Sequence, residues 1–313
     1  MASHVPGSSQ AAQPRVGAVI VSYRPDLPAL SRTLAALAPQ VERVFIVDNG
    51  SSAADVQQLR ALVPIAPAEL MEFPTNRGIA AAQNAGVAAA QARGLELVVL
   101  FDQDSLPASD LVAQLVAARR GLLARGARVA AVGPQWVDER TGRTGQFYRV
   151  RGGRIVGLVP PDAAPVEVDF LIASGTLLSL EAFRAIGPLR EDYFIDHVDT
   201  EWCARALRAG WKLYGTSAAR LTHALGEAGK RVWLGRWREV ALHSPERNYY
   251  EVRNTLLLVR SPGIGVNWRV AHLTRLAYVL AFYALLVAPR GRRIRLMARA
   301  LRDGLAGRAG QLA

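Results

Sequence analysis

The sequence predicts an α/β fold, with a mostly parallel β-sheet flanked by helices. From Val16 onward, short runs rich in β-branched residues alternate with alanine-rich segments of helical period, a pattern typical of βαβ units. Apolar residues make up 50% of the 313 residues, which is enough for a packed core. Acidic or amide residues follow several of the apolar runs directly, so we expect them to meet at one rim of the sheet.

The individual elements follow in order along the chain. Strands are predicted at residues 16–22, 43–47, 69–73, 95–101 and 128–132. Helices are predicted near residues 27–37, 53–62, 78–92 and 108–123. Asp26 is a candidate N-cap and Gly94 a candidate C-terminal stop. Further along, hairpins or a loop are predicted at residues 138–157, a strand and turn at 166–180, a helix at 200–209, and mainly helix from residue 249 onward.

Composition and charge divide the chain into unequal regions. Residues 1–14 are rich in Ser, Ala and Gln and predict a loose tail, and residues 15–228 predict one α/β domain. The first 228 residues are neutral overall, whereas residues 229–313 hold 16 basic and four acidic residues, a difference equal to the net charge of +12. This basic appendage predicts an anionic partner. The single cysteine, Cys203, excludes an internal disulfide and fits a reducing cytoplasm.

An apolar segment lies within the basic region. The uncharged residues 276–289 number about 14, fewer than the ~20 that a membrane-spanning helix needs. Arginines flank this segment and predict an interfacial helix on an anionic membrane surface: Arg269, Arg275, Arg290, Arg292, Arg293 and Arg295. A helix packed on the main domain fits the same pattern. Nucleic-acid binding is not expected, because the sequence contains no reading motif and acidic residues crowd the expected rim.

Two clusters predict contacts with a nucleotide. Asp48 ends a strand, and its carboxylate can accept the ring N–H of uracil or thymine; a turn-capping acid is the alternative. Asn76, Arg77 and Gly78 open a helix directly after a strand, where amides and a guanidinium can bind phosphate. Asn84 lies two turns further along that helix, on nearly the same face as Arg77. An ordinary capped helix is the alternative for this second cluster.

Two further clusters predict the chemistry. Asp102 and Asp104 follow a very apolar strand, and two such acids suit a hard divalent cation that can bridge two phosphates. Without a counter-ion, a pair of acids at the end of a buried strand is costly. Three more acids stand at the start of a predicted helix, where they can cap the helix or supply a general base: Asp196, Asp199 and Glu201. Their spacing leaves open which of them is the base.

Together these segments resemble the GT-A glycosyltransferases of family 2, in particular the bacterial rhamnosyltransferases that use dTDP-L-rhamnose. The resemblance runs from about Val16 to Arg260 and is most distinctive in residues 102–105, 194–201 and 247–254. It implies a GT-A fold, transfer of rhamnose with inversion, and a divalent cation, Mg²⁺ or Mn²⁺. A sugar nucleotidyltransferase would share the sheet, but no glycine-rich basic loop follows the first strand.

The resemblance also implies roles on the donor side. Asp48 would hold the thymine ring, and Asp104 would be the more direct ligand of the cation. The residues implied to line the nucleotide-sugar are Asn76, Arg77, Gly78, Asn84, Asp102 and Gln103. The residues implied to bind the cation are Asp102, Asp104 and His223.

On the acceptor side, the resemblance places Asp199 where the family has its catalytic base and Glu201 where it has a second acid. Val198 replaces the acid that usually precedes the base, which keeps Asp196 as a rival. The residues implied to close over diphosphate or acceptor are Arg247, Tyr249, Tyr250, Arg253 and Asn254.

The expected acceptor carries a lipid. The most similar members of the family act in rhamnolipid synthesis, which implies mono-rhamnolipid as acceptor and di-rhamnolipid as product. A lipid-linked O-antigen or cell-wall glycan is the alternative acceptor. Both acceptors predict a cytoplasmic enzyme that is peripheral on the inner face of the cytoplasmic membrane.

Overall fold

The computed structural model describes residues 13–65, 67–138, 142–160, 162–223, 229–233 and 237–312. Its strands are β1 (Val16–Ser22), β2 (Arg43–Asp48), β3 (Ala68–Glu72), β4 (Leu97–Asp102), β5 (Ser105–Pro107), β6 (Val129–Asp138), β7 (Phe147–Arg151), β8 (Arg154–Leu158), β9 (Val166–Val168), β10 (Leu177–Ser179), β11 (Lys212–His223), β12 (Gly229–Trp233) and β13 (Trp237–Ala241). Its helices are α1 (Leu27–Leu37), α2 (Ala53–Leu62), α3 (Ile79–Ala92), α4 (Leu111–Ala124), α5 (Leu180–Ile186), α6 (Val198–Arg208), α7 (Pro245–Arg260), α8 (Val266–Leu286) and α9 (Arg290–Leu305).

The first half of the main sheet is parallel. Strands β3, β2, β1 and β4 lie side by side in that order, and the β1 side chains are buried along the whole strand. Strands buried on both faces are apolar throughout, which explains the runs of Val, Ile and Leu. Helix α3 packs closely on this half, because a Cβ on Gly86 would lie 2.4 Å from a methyl group of Val19. Asp26 caps α1 as predicted, by accepting from the amide of Ala29 at 3.2 Å.

The second half of the sheet is mixed; the predicted sheet flanked by helices is present, its long strand pairs are parallel, and short antiparallel pairs join them on this side. Strand β10 lies antiparallel between β4 and β6, and β11 is parallel to β6 but antiparallel to β5 and β9. β5 follows β4 after a two-residue turn, and both β5 and β10 are only three residues long. Such short strands carry too little periodicity to be predicted from the sequence.

Two apolar layers sandwich the sheet, and the C-terminal helices form a third cluster. Helices α1 and α4 cover one face, while α3, α5 and α6 cover the other. Helices α7, α8 and α9 pack against one another around Tyr249, Leu256, Leu276 and Met297. Leu257 on α7 belongs to the core under the sheet, so α7 connects the C-terminal cluster to the main domain.

Candidate active site

The carboxyl ends of the parallel strands form one rim. Asp48 ends β2 opposite Ser22 of β1, and Asp102 ends β4 opposite Val21 of the same strand. The two predicted acids therefore flank β1 at the same level. Open α/β sheets bind their ligands at this rim, so the backbone geometry agrees with a nucleotide site here.

The Asp48 side chain shapes the turn that follows it. It is fully buried, and its carboxylate accepts from the amides of Gly50 at 3.2 Å and Ser51 at 2.9 Å. The Ser51 hydroxyl donates a third bond at 2.5 Å. The turn-capping alternative therefore describes what Asp48 does in this structure, and its contact with a thymine ring stays a prediction.

The loop before α3 forms hydrogen bonds with Asn49 and with the carbonyl of Phe194. The Asn76 carboxamide oxygen accepts from Gly78 N at 2.9 Å and from Asn49 at 3.1 Å, and Arg77 N donates to Asn49 at 2.9 Å. Ile79 N donates to the Phe194 carbonyl at 2.8 Å. The N–H groups of Arg77, Gly78 and Ile79 are thus occupied within the protein, and phosphate binding at this helix start stays a prediction. Gly78 is required, since its φ is 87° and a Cβ would lie 2.6 Å from Phe194 O.

Arg77 and Asn84 lie in a groove outside the rim. The Arg77 guanidinium stands 4.9 Å from the centre of the Phe73 ring and 3.6 Å from Glu191. The Asn84 carboxamide exchanges two 2.9 Å hydrogen bonds with the backbone N–H and carbonyl of Leu189. Both residues line a groove with Phe73 and Glu191 on the outer side of α3. Asn84 therefore holds the chain near Leu189 in this structure, and its contact with the nucleotide stays a prediction.

The Asp102–Asp104 turn is held by hydroxyl and amide contacts. Asp102 N donates to Ser174 Oγ at 3.2 Å, and Ser174 in turn donates to Ser105 Oγ at 2.8 Å. The Gln103 carboxamide binds both backbone groups of Tyr23, at 2.9 and 3.3 Å, so it positions the turn. Asp102 and Asp104 are half-buried one residue apart at the rim, as a cation bound through carboxylate oxygens requires.

Strand pairing brings the predicted third ligand to the same turn. His223 lies opposite Ser105 in the β11–β5 register, one residue from Asp104. Its side chain lies outside the described part of the structure. Among the side chains that are described, no three His, Cys, Asp or Glu groups form a metal-binding cluster. The Asp102–Asp104 pair thus supplies two oxygen donors, and the full ligand set stays a prediction.

A strained loop, residues 193–197, carries the next candidate acid. Phe194, Asp196 and His197 have φ values of 65°, 63° and 61°, a left-handed conformation that non-glycine residues adopt at a cost. Helix α7 holds this loop. The Asn254 amide donates to the carbonyls of Tyr193, Ile195 and Asp196, at 2.9, 2.7 and 3.0 Å.

Two residues that the resemblance placed over the diphosphate or acceptor are structural here. Arg253 is 1% exposed and donates to the carbonyls of Asp192 at 3.3 Å and Tyr193 at 3.1 Å, as well as to Gly310. Tyr250 stacks on Phe194 with 5.0 Å between ring centres, and its hydroxyl accepts from Leu312 N at 2.8 Å. The Arg253 guanidinium and the Tyr250 hydroxyl thus form their hydrogen bonds within the protein, and these bonds stabilise the strained loop and residues 310–312.

The three candidate bases have different surroundings. Asp196 pairs with Arg247, whose Nε lies 3.2 and 3.3 Å from the two carboxylate oxygens, and its side chain is 18% exposed. Burial raises the pKa of Asp196, while Arg247 opposes this rise. Glu201 instead pairs with Arg205 at 2.9 Å on its own helix, and Arg205 also binds the carbonyls of Ile186 and Pro188. Glu201 therefore stabilises α6.

Asp199 lies in the first turn of α6, next to the segment that supports Asp102. Its Oδ1 accepts from Thr200 N at 2.7 Å and from Thr200 Oγ1 at 3.2 Å. Burial raises the pKa of Asp199, although hydrogen bonds from Thr200 and from the Ala173 amide counteract that rise. Ala173 precedes Ser174, which contacts Asp102 N. One short segment therefore links this candidate base to the predicted cation site.

A cavity of about 800 Å³ opens beside Asp196. It lies between the β7–β8 hairpin, α8 and the 193–197 loop, and its lining includes Tyr148, Phe170, His197 and His272. Sequence reasoning did not single out the histidines or these aromatic residues. They stand on four separate segments, so no local motif joins them; His272 simply precedes the apolar segment that was predicted from residue 276.

The rim with its paired acids and the adjoining mixed half define a GT-A-like fold, the class of nucleotide-sugar-dependent glycosyltransferases. Comparison with known proteins agrees, because the model of the Glycosyl transferase family 2 matches residues 18–186. The chain belongs to this family. It is also 30% identical over 301 residues to the dTDP-rhamnosyl transferase RfbF of Shigella flexneri, covering 94% of this chain and 96% of that protein.

Solved structures share the fold at low sequence identity. A structure of GalNAc-T7 with UDP, GalNAc and Mn²⁺ has a TM-score of 0.60 at 13% identity, covering 94% of this chain and 56% of that one. Residues 1–349 of S. aureus TarS in complex with UDP-GlcNAc give 0.55 at 14% identity, covering 94% and 81%. The mannosyltransferase PcManGT from Pyrobaculum calidifontis, with GDP-Man and Mn²⁺, gives 0.52 at 16% identity, covering 96% and 77%. At such identities these likenesses show the fold alone.

Proposed function

We propose that this protein transfers L-rhamnose from dTDP-L-rhamnose to a hydroxyl of a lipid-carried acceptor, with inversion at the sugar carbon. The observation that carries this proposal is the 30% identity to a dTDP-rhamnosyl transferase across 94% of the chain, which includes the C-terminal helices. The rim and the adjoining cavity support it, because a transferase needs a donor site and an acceptor site that share the reacting centre.

On the donor side, Asp102 and Asp104 would hold Mg²⁺ or Mn²⁺, with His223 as the proposed third ligand. When bound, the cation neutralises charge that develops on the departing diphosphate. The residues that support this turn, Gln103 and Ser174, keep the two carboxylates at the rim. Asp48, which shapes the turn after β2, remains the proposed partner of the thymine ring.

For the proton transfer we propose Asp199. The acceptor oxygen attacks the anomeric carbon, the bond from that carbon to the diphosphate oxygen breaks, and the acceptor proton passes to the Asp199 carboxylate. Two observations support this choice: burial raises the pKa of Asp199, and the Ala173 amide that hydrogen-bonds it precedes Ser174, which contacts Asp102 N. Asp196 is the alternative, because it faces the large cavity directly.

We further propose that the acceptor is met at the inner face of the cytoplasmic membrane. Helix α8 is the one helix in the described part of the chain whose length and composition suit a bilayer span, a test that core helices also pass. It packs through Ala271, Leu276 and Tyr283, while Val266 and Leu285 are 72% and 66% exposed. A helix with one packed face and one exposed apolar face suits the interfacial position better than a span. Arg293 contributes nothing there, because it is buried against Tyr283.

The test supplies dTDP-L-rhamnose and two acceptors in separate reactions. Mono-rhamnolipid is the first, and formation of di-rhamnolipid is detected by mass. A polyprenyl-linked glycan is the second, and it represents the alternative acceptor class. If neither acceptor gains rhamnose and the protein neither binds dTDP nor consumes dTDP-rhamnose, the proposed function is wrong.

A further inference from the structure

His272 is a buried polar residue that lines the large cavity without a protein partner. The residue is 3% exposed, and neither ring nitrogen has a hydrogen-bond partner among the described residues. Burying an unpaired polar group is unfavourable, and buried polar groups are nearly always satisfied by protein, water or ligand. Because His272 lines the cavity, a bound molecule can supply the missing partners.

The ring of His272 is held in place by three neighbours. The ring centres of Trp268, His197 and Phe170 lie 5.4, 5.6 and 6.4 Å from that of His272. His197 is itself anchored, since its Nε2 lies 2.9 Å from Thr255 Oγ1. The imidazole is therefore packed on its sides, and it lines the cavity with both nitrogens unpaired among the described residues.

Both histidines are uncharged near neutral pH. Burial, with a further contribution from Arg275, lowers the pKa of His272 to about 4. Burial also lowers the pKa of His197 well below its usual value, and Arg275 and His272 add to that effect. A neutral imidazole has one N–H donor and one acceptor nitrogen. It therefore suits hydroxyl groups, which also donate and accept, better than an anion.

An aromatic wall completes the cavity. Tyr148 and Phe170 stack with 5.6 Å between ring centres and 6° between ring planes. The C–H-rich side of a sugar ring is apolar and can pack on such a wall, while its hydroxyls reach polar groups at the edge. Asp196 lines the same cavity and can face those hydroxyls. Tyr278, which is 74% exposed on α8, stands where a lipid tail would leave.

We propose that this cavity binds the acceptor saccharide, and that His272 hydrogen-bonds a hydroxyl of its terminal sugar ring. The substrate class is a glycolipid whose reacting hydroxyl points toward the acids of loop 193–197 and helix α6. This inference rests on the proposed glycosyltransferase function and deepens it, because it assigns the acceptor end of the site to the β7–β8 hairpin and α8.

The test compares two substitutions at His272. His272→Phe keeps an aromatic ring in the packed position but removes both nitrogens, and His272→Gln keeps a donor and an acceptor. Steady-state assays with dTDP-L-rhamnose and mono-rhamnolipid, or the polyprenyl-linked glycan if only that is used, give separate KM values for donor and acceptor. We expect His272→Phe to raise the acceptor KM about tenfold, with the donor KM unchanged and His272→Gln recovering part of the loss.

Thermal melting separates binding from packing. His272→Phe removes an unpaired polar group from a buried position, so its Tm should equal or exceed that of the wild type. Tyr278→Ala at the exposed mouth provides a second variant that cannot disturb the core, and it should raise the KM of the lipid-tailed acceptor.

Three results would overturn the inference. The first is a wild-type acceptor KM in His272→Phe together with an unaffected Tyr278→Ala. The second is an equal rise of both KM values in His272→Phe with a lower Tm, which would mark a structural residue. The third is a wild-type protein that hydrolyses dTDP-rhamnose but uses neither acceptor, which leaves donor chemistry intact. A protein that neither binds dTDP nor consumes dTDP-rhamnose would instead show that the proposed function itself has failed.

Discussion

Three polar residues around the parallel half of the sheet differ in their surroundings from His272 in the cavity beside loop 193–197. Around the parallel half, the side chains of Asp48, Asn76 and Asn84 accept hydrogen bonds from backbone N–H groups. At the cavity, neither His272 nitrogen has a hydrogen-bond partner in the described part of the chain, and Asp196, which pairs with Arg247, is 18% exposed. Satisfied polar groups make a rigid scaffold, whereas unsatisfied ones are costly unless a ligand pairs with them. For His272, the difference favours a ligand in the cavity as the missing partner.

The largest expected effect distinguishes the two candidate bases, Asp199 and Asp196. Asp199→Asn should lower kcat by about 10²–10⁴-fold, because the substitution removes the proposed base. Affinity for dTDP, measured by calorimetry, should be nearly unchanged. Asp196→Asn is the matched control and should lose less activity. A greater loss in Asp196→Asn than in Asp199→Asn would transfer the role of base to Asp196.

The same pair predicts the pH dependence. Only the deprotonated carboxylate can accept a proton, and burial raises the pKa of Asp199. The value of kcat/KM should therefore decline as pH falls through that raised pKa and level off above it. The two cavity histidines, with lowered pKa values, should add no transition near neutrality. A pH profile of the wild type tests this, and a flat acidic side would contradict it.

The second-largest effect is expected at the proposed cation site at the rim. Asp104→Asn should lower kcat by about 10²–10³-fold, since it replaces a proposed anionic ligand of the cation with a neutral amide. Chelation with EDTA should stop the wild type, and added Mg²⁺ or Mn²⁺ should restore it. Asp110→Asn is a suitable control, because Asp110 precedes α4 and only pairs with Gln114. Full activity in EDTA would exclude the cation from the mechanism.

A smaller effect is expected at Asn254 and Asn84, whose side chains form hydrogen bonds with backbone groups. Asn254→Ala should destabilise the protein by about 1–3 kcal/mol, because it leaves buried carbonyls of the strained loop unpaired. It should also lower kcat by about tenfold, since Asp196 and His197 lose their support. Asn84→Ala should lower Tm while leaving the Kd for dTDP unchanged. A large rise in the Kd for dTDP would show instead that Asn84 contributes to nucleotide binding.

The smallest expected effect concerns α8. Replacing Leu285 and Leu286 by Ser should weaken binding to anionic phospholipid vesicles roughly fivefold, because both side chains are exposed and apolar. Leu123→Ser, an exposed leucine on α4, is the matched control and should bind as the wild type does. Cosedimentation at low salt measures both. Equal binding by all three proteins would contradict an interfacial position for α8.

Local patterns were enough to predict that acids would lie at one rim of the sheet. Asp102 and Asp104 follow an apolar run, and strand ends in a parallel sheet meet at one rim whatever the rest of the chain does. The same reasoning did not predict the contacts of Arg253 and Tyr250 with residues 192–194, since a polar motif on a helix looks the same whether it faces a ligand or a loop. Their burial against residues 192–195 depends on packing between elements some 60 residues apart.

The sequence by itself determined the α/β alternation, the acids at the strand ends and the basic C-terminal region, because each depends on residues that are neighbours along the chain. Only the tertiary structure decided that β5 and β10 make the sheet mixed, that Asn254 holds the loop of Asp196, and that His272 meets Tyr148 and Phe170 around one cavity. Those contacts join distant segments, and their free energy depends on burial and on which partners remain unpaired, quantities that only the packed chain defines.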